Sequence, residues 1–173
     1  TLTFDCYGTL IDWETGLLTG LRPWLQRHGK ILPDADVLEA FGHAEAQAQA
    51  TTPGKRYPKI LADAMRALAE HWSITASQWE LDGFAASVGT WPSFPDSADA
   101  LAYLKRHYRL VVLSNVDRAS FAQSNAKLGV TFDHIFTAED IGSYKPSLRN
   151  FEYALARLRD AGVEKQAILH VAQ

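Results

Sequence analysis

One interruption in the alternation of elements constrains this chain more than any other feature. From residue 97 onward, helical stretches alternate with short apolar runs, as parallel α/β sheets require. Residues 109–114 (RLVVLS) form a β-branched run of the kind that is buried on both faces. Residues 134–137 read as a short strand, and residues 167–172 (AILHVA) as another buried one. Helices are expected over 97–106, 117–128 and 147–160, the last two closed by Gly129 and Gly162. The first strand, Thr1-Leu2-Thr3-Phe4, stands apart from this series. Roughly 80 residues of helical character follow it, where a crossover between parallel strands needs about a dozen. They read as four helices: 14–28, stopped by Gly29; 34–50, with Asp34 after Pro33 as a cap; 57–72; and a fourth capped by Thr75 or Ser77 and ending near Gly89. The chain is therefore expected to be an α/β protein. Residues 1–13 and 93–173 would form a parallel-sheet core, and residues 14–92 a helical cap inserted over it.

Composition narrows the function classes. The 173 residues are 47% hydrophobic, enough for one core with an accessory layer. The net charge of -3 lacks the basic balance of a nucleic-acid binder. No apolar run approaches the roughly 20 residues of a membrane span, so no membrane partner is expected. Cys6 is the sole cysteine, which rules out an internal disulfide and suits a reducing, cytoplasmic compartment. It reads as a small buried residue facing away from its neighbour Asp5. The six histidines are scattered without ligand spacing, so no metal site is expected. The chain starts at Thr1 and stops at Gln173, directly after a strand, so a terminal piece at each end is expected to be missing.

Ligands of parallel sheets bind at the carboxyl ends of the strands. Three polar clusters fall there: Asp5 with Thr9, Ser114 with Asn115, and Lys145 before Pro146. Each alone is ordinary turn or cap chemistry. Together they place a carboxylate, a hydroxyl with an amide, and an ammonium at one sheet edge, the constituents of a nucleophile with its charge stabilisers. A cation beside Asp5 is what an attacking carboxylate needs if its target is anionic too. Tyr7 and Trp13 are the aromatic candidates for the pocket, whereas Phe41, Tyr57 and Trp91 read as core.

The segments FDCYGTL, LSN and SYKPS, in this order and with a helical insert after the first, resemble the first three motifs of the haloacid dehalogenase superfamily. That resemblance covers the whole chain and implies a Rossmann-like core with a helical cap. By it, Asp5 is the nucleophile, Thr9 orients its carboxylate, Ser114 and Asn115 hold the substrate's anionic group, and Lys145 offsets the charge around Asp5. Phosphatases of the superfamily carry a second Asp two residues after the nucleophile, which protonates the leaving alcohol. Here that residue is Tyr7. A halide leaves as a stable anion and needs no such acid, so the D-x-Y-G-T form resembles the (S)-2-haloacid dehalogenase branch. In that branch the carboxylate displaces halide at C2 and water hydrolyses the resulting ester, without a cofactor. Three departures accompany the resemblance. The branch's cap arginine has no counterpart in Phe41-Gly42-His43-Ala44-Glu45, with Arg56 the nearest substitute. The tyrosine six residues after the lysine is Phe151. The fourth motif would lie beyond Gln173.

The expected function is hydrolytic dehalogenation of short 2-haloalkanoic acids, with a small molecule as the partner. The alternatives are a magnesium-dependent phosphatase of the same superfamily and a non-catalytic binding protein on this fold. The cap's apolar helices could support a homodimer, and a monomer is equally consistent.

Overall fold

The computed structural model describes residues 1–173. Its strands are β1 (Leu2–Phe4), β2 (Leu110–Ser114), β3 (His134–Thr137) and β4 (Leu169–Val171). They form one parallel sheet in the order β3-β2-β1-β4, with Phe4 opposite Val112 and Val171. Every residue of β2 is buried, because neighbours pair with it on both sides and helices cover both faces. Leu110 and Val112 enter a cluster of 33 buried side chains on one face, while Val111 and Leu113 join a smaller cluster on the other.

Between β1 and the rest of the sheet lie α1 (Trp13–Arg27), α2 (Asp34–Thr51), α3 (Tyr57–His71), α4 (Gln78–Ala85) and a 3-10 turn, Ala86–Thr90. The chain leaves and re-enters the sheet region at adjacent points. Ile11 bridges Ser93, the Asp12 amide donates to the Pro92 carbonyl (2.9 Å), and the Phe94 amide donates to the Leu10 carbonyl (3.1 Å). Two crossing strands of chain thus tie the insert to the core. α1 begins where Asp12 accepts the Thr15 amide at 3.0 Å, and buries Leu17, Leu21, Trp24 and Leu25 at helical spacing. α3 does the same with Tyr57, Ile60, Leu61, Ala64, Met65 and Leu68. Gly16 is required where α1 meets Trp91, because a Cβ there would sit 2.3 Å from the Trp91 ring. The 33-residue cluster includes Leu21 and Met65 from the insert as well as Phe4 and Val112 from the sheet, so one apolar interior spans both.

The remaining helices are α5 (Ser97–Lys105), α6 (Arg118–Leu128), α7 (Ala138–Ile141) and α8 (Leu148–Asp160). α6 starts at Asp117, which accepts the amides of Ala119 and Ser120, and stops at Gly129 with φ +64°. The stripe Asn150, Ala154, Leu158 buries α8 against the smaller cluster.

Three sequence expectations need correction. Asp34 does not cap α2: Pro33 is the cap residue, and the Asp34 carboxylate pairs with Arg22 on α1 instead. The one-turn helix α7 goes unforeseen, since its capping box of Thr137 and Asp140 follows a strand without a linker. The expected buried strand at 167–172 is short and largely exposed, with Leu169 at 62%. Within these residues β4 pairs with β1. No helix is long and apolar enough to cross a membrane.

Candidate active site

Asp5 is the first residue after β1, and its amide donates to the Val171 carbonyl of β4 at 2.9 Å. The turn that follows folds around a single acceptor: the Cys6 carbonyl takes the amides of Thr9 (3.3 Å), Leu10 (2.7 Å) and Ile11 (2.9 Å). Gly8 makes this turn at φ +99°, a region that side-chain-bearing residues avoid. The turn aims Asp5 outward and Cys6 inward. Cys6 is fully buried, and burial followed by the nearby Asp5 charge pushes its thiol far up, so it stays protonated.

Lys145 comes from the loop after α7 and points back along the sheet edge. Its Nζ donates to Asp5 Oδ1 at 2.6 Å and to the Leu113 carbonyl at 2.8 Å. The two side chains are 14% and 22% exposed, so the pair sits at the floor of a pocket, half out of water. Asn115, the first residue after β2, fixes this loop by a reciprocal pair of bonds. Its Oδ1 accepts the Lys145 amide at 2.7 Å, and its Nδ2 donates to the Lys145 carbonyl at 3.1 Å. One N–H of that amide and one of the Lys145 ammonium remain free for a ligand.

Asp5, Tyr7, Asn115, Val116 and Lys145 line a cavity of about 230 Å³ from the core side. Trp13, Glu45, Gln49 and Tyr57 line it from the insert. This is smaller than the roughly 300–1,000 Å³ of pockets for drug-sized ligands, so it suits a small substrate. Tyr7 stands where an acid would be needed for a poor leaving group, but its phenol is engaged elsewhere. Tyr7 Oη and Ser124 Oγ are 2.8 Å apart, and the ring packs edge-on against Trp91 at 5.8 Å. Burial above all pushes the Tyr7 phenol far above its ordinary value.

The structure thus brings Asp5, Tyr7, Asn115 and Lys145 together and leaves the other two motif residues aside. Thr9 Oγ1 accepts the Gln173 amide at 3.2 Å and makes no hydrogen bond to Asp5. Ser114 is 0% exposed, its Oγ has no partner, and it does not line the cavity. As the last residue of β2 it alternates away from Asn115, which takes the pocket position. Arg56 does not enter the pocket either: its exposed guanidinium pairs at 2.5 Å with Glu139 at the start of α7. Phe151 lies on the opposite side of the sheet, edge-on to His170 at 5.8 Å.

Sequence reasoning misses three pocket residues, Glu45, Gln49 and Tyr57. Tyr57 reads as core because it is the first apolar residue of an amphipathic helix. Glu45 and Gln49 lie on α2, whose many alanines and weak apolar stripe leave nothing in the local pattern to single them out. Their spacing of four residues, which puts both on one helical face, was the available signal. No group of three His, Cys, Asp or Glu side chains converges to hold a metal ion.

Solved structures resemble this one over nearly all of its length. The crystal structure of the L-2-haloacid dehalogenase PA0810 superposes with a TM-score of 0.80 at 23% identity, covering 98% of this chain and 74% of that one. The L-2-haloacid dehalogenase of Xanthobacter autotrophicus gives 0.79 at 18% identity, covering 98% and 67%. A HAD-hydrolase, YfnB from Bacillus subtilis, bound to magnesium, gives 0.74 at 16% identity, covering 99% and 79%. At these identities the likeness is one of fold. No curated protein matches the chain in sequence. The family model for haloacid dehalogenase-like hydrolases matches residues 1–171, and the chain belongs to that family.

Proposed function

We propose that the protein removes halide from short 2-haloalkanoic acids through an ester formed on Asp5. The observation that carries this reading is the pairing of a positioned carboxylate with the absence of a proton donor for the leaving group. Asp5 is held by Lys145 at 2.6 Å on the floor of a small pocket. Tyr7, at the acid's place, has its hydroxyl tied to Ser124 and its phenol kept protonated by burial. Such a site favours a group that departs as a stable anion.

An oxygen of Asp5 attacks C2 in line with the carbon–halogen bond. The C–O bond forms as the carbon–halogen bond breaks, and halide leaves with the electron pair. Water then adds to the side-chain carbonyl carbon of Asp5, and the bond from that carbon to the ester oxygen breaks. The 2-hydroxy acid departs, Asp5 is restored, and one proton passes to solvent. Lys145 offsets the charge that gathers on Asp5 during the second step, and the free N–H groups of Lys145 and Asn115 hold the substrate carboxylate. A structural neighbour, the Xanthobacter autotrophicus enzyme, has been solved with chloropropionic acid covalently bound, which is consistent with this chemistry.

The test is chloride release from L-2-chloropropionate with chelator present. Release that disappears in Asp5→Asn, with an unchanged circular dichroism spectrum, supports the reading. A single turnover in ¹⁸O-water should leave label in the Asp5 carboxylate. Absence of halide release together with magnesium-dependent release of phosphate from esters would replace it with the phosphatase reading.

A further inference from the structure

In-line displacement fixes which wall of the pocket the halogen meets. Asp5 stands on the core floor of the cavity, bonded to Lys145. When its carboxylate attacks C2 from there, the carbon–halogen bond points away from it. The halogen therefore faces the opposite wall, which the insert supplies with Trp13, Glu45, Gln49 and Tyr57. A departing halide gathers negative charge and is stabilised by a donor already in place at that wall. No lysine or arginine of the insert lines the cavity, so the donor is a neutral one.

Trp13 offers it. This first residue of α1 is half-buried, and its ring is held from two sides. It packs against Phe41 of α2, with ring centroids 6.5 Å apart. Its nitrogen-bearing edge lies beside Gly8, in the turn that Asp5 begins: a Cβ on Gly8 would sit 3.3 Å from Nε1 and 3.4 Å from Cδ1. An indole N–H donates and cannot accept. That of Trp91 is spent on Ser87 Oγ at 3.2 Å, and that of Trp24 is sealed in the core. The Trp13 N–H has no acceptor in the protein and is not sealed off, because its ring borders the cavity. Gln49, the other amide-bearing residue of this wall, gives one of its two hydrogens to Glu45 at 3.1 Å. A substrate that fills the cavity displaces the water this indole can bond. A halogen on carbon is a weak acceptor and a free halide a strong one, so the bond from Trp13 strengthens as the carbon–halogen bond breaks. An interaction of that kind accelerates the chemical step.

We propose that Trp13 is a further catalytic residue, whose indole N–H bonds the departing halide. This rests on the dehalogenase reading and names the leaving-group donor of the same site. No proton is transferred: the halide leaves with the electron pair of the C2–halogen bond and accepts the N–H as a hydrogen bond. The experiment measures kcat/KM for halide release from 2-chloropropionate and 2-bromopropionate, a parameter that covers the steps through halide departure. Chloride is the poorer leaving group and the stronger acceptor, so it depends more on the donor. Trp13→Phe should lower kcat/KM about 100-fold for the chloro compound and about 10-fold for the bromo compound, raising the bromo-to-chloro ratio about tenfold. A second variant replaces Trp13 by its benzothiophene isostere, in which sulfur stands where the N–H was. It keeps the shape of the ring, and should raise the ratio likewise with an unchanged melting temperature. An unchanged ratio in the isostere, or equal losses on both compounds in Trp13→Phe, overturns the inference and leaves dehalogenation standing. Absence of halide from both compounds with the natural protein overturns the dehalogenase reading and this inference together.

Discussion

Asp5 and Lys145 are 140 residues apart in sequence and share one hydrogen bond that organises the site. Removing the ammonium leaves a carboxylate on a poorly hydrated floor with nothing to offset the charge that develops there. Lys145→Met is expected to lower kcat/KM by about 100- to 1,000-fold, the range for losing one oriented charge stabiliser, and steady-state halide release measures it. Tyr7 is placed differently. Its hydroxyl pairs with the Ser124 hydroxyl at 2.8 Å, and burial holds the phenol far above its ordinary range, which makes it a poor acid. Tyr7→Phe should therefore keep halide release within a few-fold and cost about 1 kcal/mol of stability, the worth of one intramolecular hydrogen bond. A collapse of turnover in that variant, with the melting temperature intact, would show that the phenol takes part in the chemistry. Thr9, which the resemblance makes the orienter of Asp5, accepts the Gln173 amide, and Ser114, which it puts at the substrate, bonds to nothing. Ser114 is instead buried at the end of a two-sided strand.

Elements of the insert carry their own start signals, and α4 shows one with a measurable pH signature. Ser77 caps it: Glu80 donates its amide to Ser77 Oγ at 3.3 Å, and the Glu80 carboxylate accepts the Ser77 amide at 2.9 Å and hydroxyl at 2.8 Å. The Ser77 amide first, and then its hydroxyl, bring the Glu80 carboxyl down from 4.5 to about 2. A lowered carboxyl stabilises the fold above its unfolded value, and the contribution disappears as pH falls from about 4.5 to about 2. Ser77→Ala should cost about 1 kcal/mol at neutral pH. The gap between the two proteins in denaturant titrations should narrow as pH approaches 2, leaving the share of the Glu80 amide bond to Ser77 Oγ, and a gap independent of pH would refute the carboxylate half of the capping box.

Across the whole molecule, a single apolar interior joins the insert to the sheet, and Trp91 stands at the junction. It is 1% exposed, packs where Gly16 of α1 has no side chain, contacts Tyr7 edge-on at 5.8 Å, and donates its indole N–H to Ser87 Oγ at 3.2 Å. Trp91→Ala should cost about 3–5 kcal/mol. Because the cluster is continuous, insert and core should unfold together in one transition in both proteins; calorimetry that resolves two transitions would contradict this. Further ties close the insert over the site. Tyr144, next to Lys145, donates its hydroxyl to the Lys55 carbonyl at 2.5 Å, and Arg56 pairs with Glu139. Arg56, the sequence's nearest substitute for a cap arginine, thus works as a strut between insert and core.

Much of the molecule was written in local sequence. The strand-then-acid pattern at Phe4-Asp5, the all-apolar LVVL of β2, the glycine stops after α1, α6 and α8, and the spacing of apolar residues in α1 and α3 each follow from turn chemistry or periodicity within a few residues. So did the candidacy of Asp5, Asn115 and Lys145, because strand ends are where parallel sheets gather reactive groups. What tertiary structure alone decided depends on partners distant in sequence. Glu45 and Gln49 became pocket residues only when α2 was laid over the sheet edge, and Ser114 was withdrawn when pairing fixed the face of β2. The Tyr7 hydroxyl found its partner in Ser124, 117 residues away. Local sequence carries backbone preference and apolar period, which are set by neighbours along the chain. The direction, hydration and charge of a side chain are set by whatever the fold places against it.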